Sequence, residues 1–100
     1  MSIIKGVLEE EYARLKRMEI AYSSKINELP KGSIQIKIIK GRKYAYLVRR
    51  EGKKVVSQYL NTDENKMNIL RKQIEQRKKF KKEIHQIKED FKVIRRAIRL

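Results

Sequence analysis

The sequence predicts an α+β chain: a long N-terminal helix, a three-stranded antiparallel β-meander and a long C-terminal helix, in the order α-β-β-β-α. Three observations carry that expectation. Apolar residues recur at three-and-four spacing in both outer segments, they alternate in the middle one, and glycine-containing dipeptides mark the joints. One hundred residues make a single domain of residues 1–100, with no room for a second core. Because 39% of the residues are charged, the core is modest. An elongated molecule is expected, with a homodimer through amphipathic helices as one way to bury more surface.

The first helix is expected over residues 1–29. Ile4, Leu8, Leu15, Met18, Tyr22 and Leu29 form a heptad-like stripe, with Tyr12 and Ile26 beside it. Glu11 and Lys25 interrupt the stripe, which argues against a strict coiled coil. Pro30 disfavours helical geometry in the residue before it and should end the helix near Leu29. Gly6 is expected to shorten the start by a turn.

The sheet is expected over residues 33–60. Runs 33–40, 43–50 and 53–60 are β-rich and of equal length, separated by Gly41-Arg42 and Glu51-Gly52 as two-residue hairpin turns. These turns pair Val48 with Val55, Tyr46 with Ser57, Tyr44 with Tyr59 and Ile38 with Ala45. Sliding the first turn to Lys40-Gly41 leaves the side-chain parity unchanged. One face then carries Ile34, Ile36, Ile38, Ala45, Leu47 and Val56 as aliphatic core. The other carries Gln35, Lys37, Ile39, Tyr44, Tyr46, Val48, Val55, Ser57 and Tyr59.

The last helix is expected over residues 62–99. Thr62 or Asn61 suits the N-cap, and Asp63 and Glu64 suit the first turn. Met67, Leu70, Ile74, Phe80, Ile84, Ile87, Phe91, Ile94 and Ile98 keep helical spacing, interrupted at Arg77. A second stripe, Lys78, Lys81, His85, Lys88, Lys92, Arg95 and Arg99, repeats at the same interval, roughly 110° around the helix from the apolar one.

Charge bounds the function. Lys and Arg number 27 against 12 Asp and Glu, a net +15 in a chain of this size. A soluble small domain needs a magnitude of only roughly 2–8. Residues 1–29 are neutral with five groups of each sign, residues 30–60 carry nine cations against Glu51, and residues 61–100 carry thirteen against six. Such an excess repels itself, and a polyanionic partner relieves it. A generically lysine-rich composition is the plainer alternative.

Absence of cysteine excludes disulfides and thiolate metal sites. No apolar run approaches the roughly 18 residues of a membrane span, and the start lacks a signal-peptide core, so a cytoplasmic protein without membrane attachment is expected. No enzyme activity, cofactor or metal is expected either. The lone His85 sits in a lysine-rich helix, Asp63-Glu64 and Glu89-Asp90 are adjacent pairs that point to different helix faces, and no phosphate-cradling glycine loop occurs.

Two surfaces are candidates for binding nucleic acid. On the sheet, Tyr44 and Tyr46 offer aromatic platforms, and Lys37, Arg42, Lys43, Arg49, Arg50, Lys53 and Lys54 offer phosphate contacts. Tyrosine is equally a good strand residue, and a helix covering this face would bury it. On the last helix, Lys78, Lys81, Lys88, Lys92, Arg95, Arg96 and Arg99 make a rail for a phosphate backbone, or else an ordinary solvated face.

Leu29-Pro30-Lys31-Gly32-Ser33-Ile34, Tyr44-x-Tyr46-Leu47, Arg50-Glu51-Gly52-Lys53 and Tyr59-Leu60 together resemble an uncharacterised family of small basic bacterial and archaeal proteins, often phage- or mobile-element-associated. The resemblance covers residues 28–100. The hairpin is also similar to three-stranded, DNA-contacting N-terminal domains of integrases and to the opening of some transposases. Lys53-Lys54 follows Gly52 where that pattern prefers a second glycine, and Asn61 replaces its terminal glycine. The resemblance implies mobile-element biology and assigns no site. The expected function is thus non-catalytic binding of DNA or RNA, free or in a nucleoprotein complex. The alternative is a protein-interaction module or inhibitor, such as an anti-defence factor, docking on a host protein or nucleoprotein complex.

Overall fold

A computed structural model describes residues 2–99, and the side chains of residues 3–98. Helix α1 spans Ser2–Glu28, strands β1, β2 and β3 span Ser33–Ile39, Arg42–Glu51 and Lys54–Tyr59, and helix α2 spans Glu64–Arg99. This is the α-β-β-β-α order that the periodicities predict.

The chain divides into two compact units. The first consists of α1 and the part of α2 from Lys78 onward. Leu15, Ile87, Phe91 and Ile94 are buried together there, with Leu8, Tyr12, Met18, Tyr22 and Ile98 packed around them. Tyr12 meets Phe91 with ring centroids 4.8 Å apart, and Tyr22 stacks on Phe80 at 5.3 Å. Low numbers on α1 therefore face high numbers on α2, and the pair is antiparallel. Ile4, expected on this stripe, is exposed, and the packed cluster begins only at Leu8.

The second unit runs Leu29–Arg77. Its sheet is an antiparallel meander in the order β1-β2-β3. Ile39 pairs with Arg42, so the first turn is Lys40-Gly41 and Arg42 already belongs to β2. Both turn residues have positive φ (52° and 79°), as a type I′ turn requires. Lysine is strained there, and glycine supplies the second position without a Cβ clash. Glu51 pairs with Lys54, so the second turn is Gly52-Lys53, with Gly52 at φ 62° in the first central position of a type II′ turn.

That second turn lies one residue beyond the expected Glu51-Gly52. The pairs consequently slide by two, to Tyr46 with Tyr59 and Val48 with Ser57. A two-residue slide preserves parity, so the expected division into faces stands although the expected pairs do not. The strands also differ in length, at seven, ten and six residues.

Gly32 sets the entry to the sheet. Its φ is 118°, and a Cβ there would lie 2.5 Å from the Val48 carbonyl oxygen. Only glycine permits both the backbone angle and that approach.

Leu47, at the middle of β2, is 8% exposed, and the other buried residues of this unit are Met67 and Ile74 on α2. No other residue of the three strands is buried. Ile36 and Ile38, expected in the aliphatic core, lie on the edge strand β1 and are exposed, Ile38 at 69%.

Helix ends follow local chemistry. α1 stops at Glu28, two residues before Pro30, whereas Gly6 does not shorten its start. At α2 the N-cap is Asp63, one or two residues later than expected: its carboxylate accepts the Lys66 N–H at 2.8 Å, and its carbonyl accepts the Met67 N–H at 3.0 Å.

Candidate nucleic-acid interface

Alternation along the strands puts Lys37, Arg42, Tyr44, Tyr46, Arg50 and Tyr59 on one face of the sheet. No residue of that face is buried. Tyr44 and Tyr46 are half-buried and Tyr59 is 50% exposed, so none of the three is fully buried. They pack on one another. The Tyr59 ring lies 5.6 Å from Tyr46 and 6.1 Å from Tyr44, in tilted arrangements. Cross-strand aromatic contacts of this type steady the rings against one another.

Cations frame the cluster. The Lys37 ammonium sits 4.7 Å from the Tyr46 ring centroid, reaching diagonally from its direct partner Tyr44. Arg42 and Arg50 sit at opposite ends of the face, and Lys53 is in the second turn. All four are exposed. The surface thus joins partly exposed aromatic rings to exposed cationic side chains.

Three of the cations expected to contact phosphates at the strand ends and turns lie on the opposite face from the tyrosines. Lys43, Arg49 and Lys54 project from the Leu47 face, because their register positions have the opposite parity. Arg49 is held there, donating from Nε to Glu51 at 2.8 Å and from Nη1 to Gln58 at 2.9 Å. Tyr59 belongs to the cluster, on the face where the sequence reading places it with Tyr44 and Tyr46. Its parity with Tyr46 was the available signal.

On α2, Lys78, Lys81, Lys88, Lys92, Arg95 and Arg96 are exposed, as is His85. The Arg99 side chain lies outside the described residues. The stripe is not uniform. Lys92 pairs with Glu89 at 3.1 Å, which holds the Glu89 carboxyl below the usual carboxylate range. Arg95 lies over the Tyr12 and Phe91 rings and donates from Nη2 to the Tyr12 hydroxyl at 3.4 Å. That hydrogen bond pulls the Tyr12 phenol below its ordinary pKa. Lys78, Lys81 and Lys88 have no hydrogen bond or ion pair among the described residues. Arg95 is therefore partly a packing residue, while those three lysines are exposed.

Among the described residues no three of His, Cys, Asp and Glu cluster in a way that would hold a metal ion. Among them, too, no helix is long and apolar enough to cross a membrane.

Residues 6–68 match the family described as Domain of unknown function, DUF6788. The chain belongs to that family. The DUF6788 segment takes in most of α1, the whole sheet and the first turn of α2, and it ends before the basic stripe of α2 begins at Lys78. The tyrosine face therefore lies within it. No curated protein and no solved structure matches the chain.

Proposed function

We propose that this protein binds nucleic acid without catalysing a reaction on it, and that its principal contact is the tyrosine face of the sheet. The observation that carries the reading is the partly exposed Tyr44–Tyr46–Tyr59 cluster with the Lys37 ammonium over the Tyr46 ring. Bases stack on such rings with about 1–3 kcal/mol each, whatever their identity, provided they are unpaired. Single strands are thus favoured over duplex. Arg42, Arg50 and Lys53 hold the backbone, and the free lysines of α2 supply a second cationic surface. The net +15 draws any polyanion and sets the association rate more than the selectivity. A mobile-element setting, as the sequence resemblance implies, suits such a role.

A second reading has its own observation. The exposed Ile36 and Ile38 on the opposite face form an apolar surface of a kind that protein partners cover and nucleic acid does not. Docking on a host protein or nucleoprotein complex would use that end of the sheet.

Titration of the full chain with single-stranded DNA, duplex DNA and structured RNA, at two salt concentrations, separates the readings. Submicromolar binding near physiological salt, tightest for unpaired strands, is expected. The slope of log affinity against log salt should be about −3 if Lys37, Arg42, Arg50 and Lys53 all engage phosphates at roughly −0.7 each. Millimolar binding to all three ligands would overturn the reading and favour the protein partner.

A further inference from the structure

We infer that the protein forms an antiparallel homodimer through the face of α1 that points away from α2. This inference is independent of what the sheet binds. α1 buries Leu8, Tyr12, Leu15, Tyr22 and Ile26 on one side, in whole or in part. At about 100° per residue, Ile3, Glu10, Arg17 and Ser24 define the opposite side. Large apolar residues stand open there or on its flanks: Ile3 is 72% exposed, Ile20 65%, and Val7 is similarly exposed. Val7, Glu10, Ala13 and Arg17, with the Glu11–Arg14 pair, line a shallow groove along it.

The pattern is self-complementary. Place two copies of α1 antiparallel about a two-fold axis between Ala13 and Arg14. Residue i then lies opposite residue 27 − i of the second copy. Glu10 meets the second copy's Arg17, and Val7 meets its Ile20. Each of these contacts occurs twice, as an isologous interface demands. Glu10 and Arg17 make no ion pair among the described residues, so both are available. The one charge at the axis, Arg14, is already neutralised by a bidentate pair with Glu11. Ala13, small and central, lets the helices approach to the usual 8–10 Å.

Charge explains why this helix and no other segment would meet its copy. Each chain carries +15, so any contact between basic segments is repelled. α1 holds Lys5, Arg14, Lys16, Arg17 and Lys25 against Glu9, Glu10, Glu11, Glu19 and Glu28, five of each, a net of zero. Three of the five acids precede the proposed axis, and four of the five cations follow it. An antiparallel partner converts that asymmetry into attraction at both ends, whereas a parallel one would set like charges together.

Sedimentation equilibrium of the full chain, free of nucleic acid, tests the proposal. A species of twice the 12.0 kDa chain mass is expected at submillimolar concentration. Glu10→Arg should weaken it at least roughly tenfold, because a cation then faces the second copy's Arg17. Arg17→Glu should do the same by setting an acid against Glu10. Both sites are exposed, and each variant should keep its helical content. An equimolar mixture of the two variants should dimerise again, because one chain then offers two cations to the other's two acids. A wild-type chain that stays at 12.0 kDa overturns the proposal. So does a dimer indifferent to both substitutions, or one that the mixture fails to restore.

Discussion

The two compact units use their apolar residues in opposite ways. In the helical unit, the stripes of α1 and α2 close on each other, and four side chains from the two helices are buried in one cluster. In the sheet unit, the strands bury a single residue, Leu47, and leave Ile36, Ile38, Ile39, Val55 and Tyr59 open. Their charges differ as well. Residues 29–77 hold thirteen cations and four acids, a net +9, whereas residues 1–28 with 78–100 hold fourteen and eight, a net +6 taken up by one stretch of helix. A unit that buries little yet holds ordered aromatic rings is suited to contact with something else. In the proposed role, the sheet is the binding surface and the helix pair is the anchor.

The largest effect should come from breaking the anchor. Phe91 is buried, 4.8 Å from Tyr12, with the Lys16 ammonium and the Arg95 guanidinium near its ring. Phe91→Ala should cost about 3–5 kcal/mol, read by denaturant unfolding, through lost burial and the cavity left behind. A smaller effect is expected at the sheet's entry. Gly32→Ala forces an L-residue to φ 118° and a methyl group onto the Val48 carbonyl, for a loss of about 2–3 kcal/mol.

The smallest effect is a titration that marks the helix pair alone. Tyr12 should ionise below the ordinary tyrosine range in an absorbance titration, because the Arg95 hydrogen bond favours its phenolate. Arg95→Met should move it back up. A phenol with a depressed folded pKa adds stability that is complete above the ordinary tyrosine pKa and is lost as pH falls through the folded value. The helix pair should therefore gain slightly on the alkaline side, and the variant should lose that gain.

Much of this was legible in the sequence, and what was missed has a physical pattern. Period and parity survive small errors, so both helices, the three strands and the two sheet faces follow from residue spacing. The hairpin ends turned on one residue: Gly41-Arg42 and Lys40-Gly41 both suited the first turn, and at the second, expected at Glu51-Gly52, the turn is Gly52-Lys53. Positive φ was required at Lys40 and at Gly41, which no propensity for lysine would suggest. Face assignment also decides which cations accompany the tyrosines. Lys43, Arg49 and Lys54 are close to them in sequence, and the alternation sends them to the other side. The exposure of Ile36 and Ile38 was not legible, because spacing shows which residues share a face and not which of them another element buries. Nor was the bond from Arg95 to Tyr12, 83 residues away, which turns one member of a basic stripe toward the packing.

The most direct test of the sheet as a binding surface is Tyr44→Ala with Tyr46→Ala, measured for thermal unfolding and for single-strand affinity together. Removing the two rings takes away cross-strand contacts worth about 0.2–1 kcal/mol each. The double variant should therefore remain folded. Its affinity should fall by about 1–3 kcal/mol per stacked base lost, with the salt slope unchanged because the cations remain. An unfolded double variant would make the tyrosines core, and a folded one that binds single strands as tightly as the wild type would move the interface elsewhere. Either result contradicts the account.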